Sequence, residues 1–355
     1  MFKDIVKQIF KDRFASIALI VLLLMYLTIL FADFIAPYSK DFSDRSLSYA
    51  PPSTIYMIDE NGKFSKPYFY NYKRTFEPKL YQNVYQLDTE QKHYVKFFCK
   101  GEQYKILGLI PCSLHLFGTD TEGRLFILGT DINGRDVFSR LLFGGRISLT
   151  IGFLSLFILF PIGLLYGGIS GYFGGKIDML MMRFAEAVMA IPSFYLLIIL
   201  ASILPANMTS TQRFTLIVVI LALIGWAGFA RVVRGMVLSI KNEEFVQAAK
   251  TIGASNMRII LKHILPQTTS YVIIAMTLSV PSYILSESGL SFLGLGIQQP
   301  DASWGNMLKE AQEYINILYR PWLLTPGVLI FVAVLCFNLV GDAVRDILDP
   351  KGKMR

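Results

Sequence analysis

Glu244-Phe245-Val246-Gln247-Ala248-Ala249-Lys250-Thr251-Ile252-Gly253-Ala254-Ser255, carried on by Asn256 to Pro266, is a polar stretch set between two apolar runs. It reads as two short helices joined at a glycine. Asn242 is placed to cap the first, and Glu243 and Glu244 complement the dipole at its N-terminus. Phe245, Ala248, Ala249 and Ile252 recur at i, i+3, i+4 and i+7 and predict one narrow apolar stripe. Gly253 is placed for a left-handed C-terminal cap. Ser255 can cap the next helix, in which Met257, Ile260, Leu261 and Ile264 repeat the spacing before Pro266 ends it. Such a stripe can fold back on its own chain, lie on a membrane or enter a groove on a second protein. Ala248 and Ala249 permit close backbone approach, and Phe245 supplies an aromatic anchor. The residues alone leave self-packing and partner binding equally open.

The surroundings of this loop are apolar. Of 355 residues 53% are hydrophobic and 17% charged, against about 25% charged in a soluble domain. Twelve of the 26 acidic residues lie between Asp41 and Asp136, so the remainder is more apolar still. Six stretches approach the ~20 residues needed to cross a bilayer: Phe14 to Ala36, Ile147 to Gly171, Met179 to Leu204, Phe214 to Ala230, Thr268 to Ser286 and Trp322 to Val340. Pro161, Pro192 and Pro281 fall inside three of them, tolerable where neighbouring helices re-satisfy freed carbonyls. The first run is too long for a signal peptide and lacks a small-residue cleavage pattern, so it reads as a retained anchor. With the N-terminus in the cytoplasm, the inner flanks 1–13, 172–183, 231–267 and 341–355 hold sixteen Lys and Arg and the short outer flanks three. The excess of basic residues inside favours that orientation, with both termini cytoplasmic.

Residues 37–146 then form an outer insertion between the first two spans, predicted β-rich from patches such as Lys66 to Tyr70 and His93 to Phe98, with a turn at Asp59 to Gly62. Cys99 and Cys112 either pair across a short loop or stay reduced as small hydrophobes. Phe117 to Arg124 is echoed by Leu128 to Arg135, each a glycine-bounded turn whose aspartate can bond its own backbone. Asp136 and Arg140 sit at i, i+4 and predict a short elbow helix on the outer membrane face. The net charge of +8 gathers on no single polar face, and no base- or phosphate-reading module is present, so nucleic acid is not expected as a partner. Three scattered histidines and the lack of a CxxC pair argue against a metal site.

The Glu244–Pro266 run resembles the EAA loop of the membrane subunits of ABC importers, in which Glu-Ala-Ala is followed after three residues by Gly and after nine more by Ile-x-Leu-Pro. Ala248, Ala249, Gly253, Leu265 and Pro266 are in register; Gln247 stands in place of the Glu and His263 in place of the Ile. Leu128 to Asp136, Gly171 to Gly175, Ser291 to Gly296, Ser303 to Gly305 and Asn338 to Asp342 resemble, in order, motifs of the dipeptide/oligopeptide/nickel permease subfamily, with most likeness to the C-type oligopeptide subunit. Residues 38–127 depart from the many subunits that carry only a short loop there.

The resemblance implies a type I ABC importer fold: an all-α polytopic membrane protein of six transmembrane helices, with the β-rich insertion between helices 1 and 2. It divides the chain into residues 1–36, the insertion 37–146, a core 147–348 with coupling loop 241–266, and a tail 349–355. It implies a bacterial inner-membrane, multi-pass location. The partners would be a second permease subunit, two cytoplasmic ATPases, an extracytoplasmic solute-binding protein and the lipid bilayer. ATP and Mg would be held by the ATPases, and this chain would bind no cofactor and catalyse nothing; it has no G-x-x-x-x-G-K-[ST] loop. Phe245, Ala248, Ala249 and Ile252 would enter the ATPase groove, Gly253 would set the bend, and Glu244 and Lys250 would meet its rim; Gln247, Ala254, Leu265 and Pro266 complete the loop. The expected cargo is oligopeptide or dipeptide, with nickel or another small solute as the alternative. A secondary transporter should show repeated halves and paired broken helices, and a membrane sensor should carry a cytoplasmic signalling domain. For the pathway, Ser279, Ser282 and Ser286 share one face of the fifth span and either line a polar route or mediate packing. Glu287 is a candidate outer gate, and Arg183 and Glu186 are expected to pair.

Overall fold

The computed structural model describes residues 2–59, 62–78, 82–106, 110–119, 122–205 and 207–348. Glu60 and Asn61 of the first turn, Asp120 and Thr121 of the first repeat copy, and the tail 349–355 lie outside them. The chain is mostly helical with a β-rich insertion. It divides into two compact units: residues 1–22, 149–290 and 331–355, and residues 23–148 and 291–330. The second therefore joins the insertion to the segment 291–330.

The N-terminal helices are α1 (Phe2–Ile9), α2 (Arg13–Leu30) and α3 (Ala32–Ile35). The Asp12 carboxylate accepts from the Phe14 and Ala15 amides at 2.8 and 3.2 Å, which starts α2. The first apolar run does not continue as one helix to Ala36, because α2 stops at Leu30 and the chain turns at Phe31. Arg146 secures that end: its guanidinium donates to the Ile29 and Leu30 carbonyls at 2.7 and 3.1 Å and to Asp33 at 2.6 Å. These are carbonyls that a helix end leaves without intrahelical partners.

The insertion contains β1 (Tyr56–Ile58), β2 (Phe64–Glu77), β3 (Gln82–Tyr94), β4 (Lys96–Ile106) and β5 (Ile110–Gly118). They form an antiparallel β1-β2-β3 sheet and a separate β4–β5 hairpin. Leu47, Ala50 and Phe126 make a small core under Tyr38, Phe42, Tyr72 and Tyr85. Cys99 and Cys112 are both free thiols. The register explains this: Cys99 lies opposite His115 and Cys112 opposite Tyr104, so the two never face each other across the hairpin.

The expected elbow is not a separate helix. α4 (Val137–Phe173) runs unbroken through Pro161 for 37 residues, about 55 Å at ~1.5 Å per residue and longer than a ~30 Å hydrocarbon core. The third run is instead broken: α5 (Gly175–Ala190) and α6 (Ser193–Ser202) bend by 79° at Ile191–Pro192. Next come α7 (Ser210–Ile240), α8 (Glu244–Thr251), α9 (Asn256–Ile259), α10 (Thr269–Phe292), α11 (Trp304–Leu308), α12 (Tyr314–Tyr319) and α13 (Thr325–Leu348). By length and composition, five spans among the described residues can cross a membrane, or six if α5–α6 is one span.

In the first unit, α4 and α7 approach closely along Gly163, Gly167 and Gly171. A Cβ on these would lie 2.5 Å from the Phe229 ring, 2.4 Å from the Ala230 carbonyl oxygen and 2.8 Å from that of Arg234. The small-residue spacing is i, i+4, i+8, the device by which helices pack where lipid removes the hydrophobic drive.

Candidate functional site

The 241–266 loop is seated from below by the end of α4. Asp178 on α5 receives the Arg234 guanidinium bidentately at 2.6 and 2.5 Å and the Ser170 hydroxyl at 2.5 Å. Gly174 and Gly175 adopt positive φ of 65° and 57°, which lets the chain reverse from α4 into α5. Lys241 donates to the Gly171 carbonyl at 3.0 Å. Tyr172 donates to Asn256 at 3.0 Å, and Lys250 lies over its ring at 5.4 Å. The Gly171–Gly175 motif thus becomes the mount on which both loop helices rest.

The predicted stripe divides into two faces. Val246 and Ala249 of α8 are buried, together with Ile259, Ile260 and Ile264. Phe245 and Ile252 are 42% and 84% exposed, and Met257 and Leu261 stand out with them; Glu244, Gln247, Ala248 and Lys250 are also exposed. Ala249 consequently packs on its own chain and is not free to enter a groove, while Phe245, Ala248 and Ile252 are. Burying each Val or Ile side chain is worth roughly 1.5–3 kcal/mol, so the inward face holds the loop and the outward face is left unsatisfied. The first cap is also shifted by one: Glu243, not Asn242, precedes α8, and its side chain makes no capping bond. Ser255 precedes α9 without a side-chain bond either. Gly253 has φ +80°, with its amide bonded to the Lys250 carbonyl at 3.0 Å and that of Ala254 to the Ala249 carbonyl at 3.1 Å. Around Leu265 and Pro266 the chain tightens into a single turn before α10.

Ser279, Ser282 and Ser286 line a cavity of about 260 Å³ with Phe194 of α6, Gly225 of α7 and Tyr283. Ser279 and Ser286 return their hydroxyls to the Ala275 and Ser282 carbonyls at 2.6 and 2.7 Å. This satisfies the two hydroxyl donors within the helix. Glu287 is fully buried and is not among the residues lining this cavity. Arg183 and Glu186 pair at 3.0 Å on an exposed surface, a geometry worth little energetically.

A second constellation, which periodicity did not disclose, belongs to the second unit. The turn Gly129–Asp136 is tied by Asp131, whose carboxylate accepts from the Asn133 and Arg135 amides at 2.8 and 3.0 Å. The other carboxylate oxygen takes the Arg135 Nε at 2.6 Å and lies 3.5 Å from that of Arg140. Both arginines also donate to the Gln299 side-chain oxygen. Arg140 reaches the Pro300 carbonyl at 3.1 Å, and Arg135 lies 3.7 Å from Glu310. Arg140 therefore serves this network and not an exposed pair with Asp136. Trp304 locks the same region, donating from Nε1 to the Leu141 carbonyl at 3.0 Å while Ser303 and Asn306 form a reciprocal cap. The signal available in the sequence was two arginines beside a turn, with Gln299 some 160 positions away and the acidic Glu310 beyond it.

Like Arg135, whose Nη2 has no hydrogen-bond partner, Asp136 is buried without full satisfaction. Its Oδ2 accepts from the Ser139 amide and hydroxyl at 2.7 and 2.6 Å, while Oδ1 has no partner. Burial pushes its carboxyl up to about 7, against the pull of the Ser139 hydrogen bonds. The folded protein thus holds this proton to higher pH than the unfolded chain, so stability falls as pH rises from about 4 to about 7. Asp136→Asn keeps a carbonyl oxygen for Ser139. It is expected to raise the melting temperature over the parent at pH 8 and to lose that advantage at pH 4, as thermal denaturation in detergent would show.

Residues 161–353 match the family described as binding-protein-dependent transport system inner membrane component. Residues 1–52 match the N-terminal TM domain of oligopeptide transport permease C. The oligopeptide transport system permease protein OppC of Haemophilus influenzae is 46% identical over 226 residues, covering 63% of this chain and 70% of that protein. The dipeptide transport system permease protein DppC of Bacillus subtilis is 48% identical over 225 residues, with coverage of 63% and 68%. The nickel transport system permease protein NikC of Escherichia coli is 38% identical over 225 residues, with coverage of 63% and 78%. With the mounted loop, the glycine-packed spans and these matches together, the chain belongs to the family of inner membrane components of binding-protein-dependent transport systems.

Proposed function

We propose that this chain is the membrane-spanning permease subunit of an ATP-driven importer of oligopeptides or dipeptides. It forms half of the translocation pathway beside a second, related permease. Two cytoplasmic ATPases hydrolyse ATP, and a solute-binding protein delivers cargo on the other side. Peptide cargo is favoured because relatives named for oligopeptide and dipeptide transport are 46% and 48% identical, against 38% for the nickel relative. The observation that carries the coupling role is the two-faced loop. Val246, Ala249, Ile259, Ile260 and Ile264 fasten it to the bundle, while Phe245 and Ile252 stand exposed, as anchors for a groove do before docking. The ATPases would grip that outward face, and their closure would tilt the spans through the mount on Gly171 and Tyr172. Both termini would then be cytoplasmic, on the same side as the loop. The serine-lined cavity is the candidate stretch of the pathway within this subunit.

In a variant with all three native cysteines replaced by serine, Ile252→Cys is expected to crosslink to an ATPase subunit, with a yield that changes when ATP is added. Val246→Cys, on the inward face, should give no such product. If Ile252→Cys formed only links within its own chain, the docking role would fall.

A further inference from the structure

The end of the first span and the β4–β5 hairpin enclose a groove of about 490 Å³, within the ~300–1,000 Å³ range of small-ligand sites. Leu30, Phe31 and Phe34 form one wall, and Leu114, Leu116 and Tyr104 stand on the other. We propose that this groove holds the acyl chain of a membrane lipid, with the hairpin lying in the membrane interface.

The groove continues a surface already suited to hydrocarbon. Leu23, Leu24, Leu27, Leu30 and Phe31 are all exposed on the span and at its end, and the last two also line the groove. A lipid chain running along the helix needs no detour to enter it. The polar groups within reach are committed elsewhere. The Asp33 carboxylate is in its ion pair with Arg146 at 2.6 Å. The Tyr104 hydroxyl donates to the Leu114 carbonyl at 2.6 Å, and the Leu114 amide donates to the Cys112 sulfur at 3.4 Å. A peptide or sugar entering here would bring donors and acceptors that nothing answers, each carrying an uncompensated desolvation penalty; a hydrocarbon chain brings none.

The hairpin itself is built for an interface. Consecutive strand residues point to opposite faces, yet Phe97 and Phe98 are 64% and 63% exposed. Phe98 does this with φ +51°, a left-handed conformation that is strained for a bulky residue. Its ring lies 6.3 Å from that of Phe34, on the short helix that follows the span. Lys96 and Lys100 flank the two phenylalanines and are exposed, so ammonium groups stand beside the apolar patch where lipid phosphates would be. Apolar rings beside cationic side chains are the pattern of interface-seeking segments.

The test is photolabelling of the full chain with its partner subunits, in nanodiscs of phosphatidylethanolamine and phosphatidylglycerol doped with a phospholipid bearing a diazirine at mid-chain. Mass spectrometry is expected to find adducts on residues 112–116 at a yield comparable to that on the lipid-facing Leu24 and Leu27. Filling the groove with Leu116→Trp, or separately Leu114→Phe, should cut the 112–116 adducts by about fivefold or more while labelling of Leu24 stays unchanged, which reports an intact span. Span labelling without hairpin labelling would overturn the proposal. So would hairpin adducts that persist in both filled variants. Efficient labelling of 112–116 by a water-soluble diazirine instead would show an aqueous pocket open to polar or protein ligands, and would equally overturn it.

Discussion

Gly253→Val is expected to impair transport severely while leaving the protein folded and inserted. The site is exposed and no atom lies within 4 Å of where a Cβ would stand, so the side chain meets no clash. The damage comes from the backbone. At φ +80° a β-branched residue is a severe outlier, and relaxing it toward negative φ costs the turn its two capping bonds to Lys250 and Ala249. The angle between α8 and α9 then changes. Phe245 and Ile252 lie on one side of that turn and Met257 and Leu261 on the other, so the outward face can no longer present all four together. Transport should fall at least about tenfold, the effect of ~1.4 kcal/mol in the coupled step. ATP hydrolysis stimulated by cargo-loaded binding protein should fall with it. Gly235→Ala is the control: Gly235 also has open space but lies inside α7 without positive φ, where alanine is the better helix former. Equal transport by the two variants would remove the turn from the coupling role.

The legible and illegible parts of this chain separate along physical lines. The spans could be read because a bilayer demands long apolar runs, and their length alone locates them. The break at Pro192 could not, since Pro161 and Pro281 have the same chemistry and remain inside continuous helices. The proline that breaks its helix is the one just ahead of α6, where it supplies the N-cap position. The loop's periodicity disclosed apolar positions but not their division. A stripe reading assumes one apolar face meeting one partner, whereas α8 is apolar on two sides. Val246, outside the i, i+3, i+4, i+7 set, turns out to be the most buried residue of that helix.

The glycine ridge on α4 carried a usable signal in the i, i+4, i+8 spacing of Gly163, Gly167 and Gly171, hidden because glycine in an apolar run reads first as a weak helix former. The elbow motif was legible as a turn: Gly129 and Gly134 have φ +70° and +69°, and Asp131 bonds its own backbone as expected. Its buried charges were not legible, because a surface i, i+4 pair and a network closed by residues 160 positions away begin with the same letters.

That network sets the largest stability effect expected of a single substitution. Asp131, Arg135 and Arg140 have side chains only 6%, 8% and 4% exposed, so their charges are compensated by one another and hardly by water. Asp131→Asn keeps the turn's backbone acceptor but removes the one carboxylate that faces both guanidiniums. Glu310, 3.7 Å from Arg135, and Asp301 near Arg140 are left as the nearby anions. Breaking a buried pair by removing one partner costs about 3–5 kcal/mol. Hydrogen exchange should accordingly rise in residues 128–146 and 299–320 while that of α7 stays unchanged. Burial and the nearby Asp131 charge both push the Glu310 carboxyl up. Removing that charge should let Glu310 ionise at lower pH, which partly offsets the loss as the pH rises. Replacing the charges together, Asp131→Asn with Arg135→Met, Arg140→Met and Glu310→Gln, is expected to be less damaging than Asp131→Asn alone, because it strands none of the four charges while the turn keeps its acceptor for the Asn133 and Arg135 amides. If the fourfold variant were the worse of the two, the network would owe its strength to its geometry and not to charge compensation.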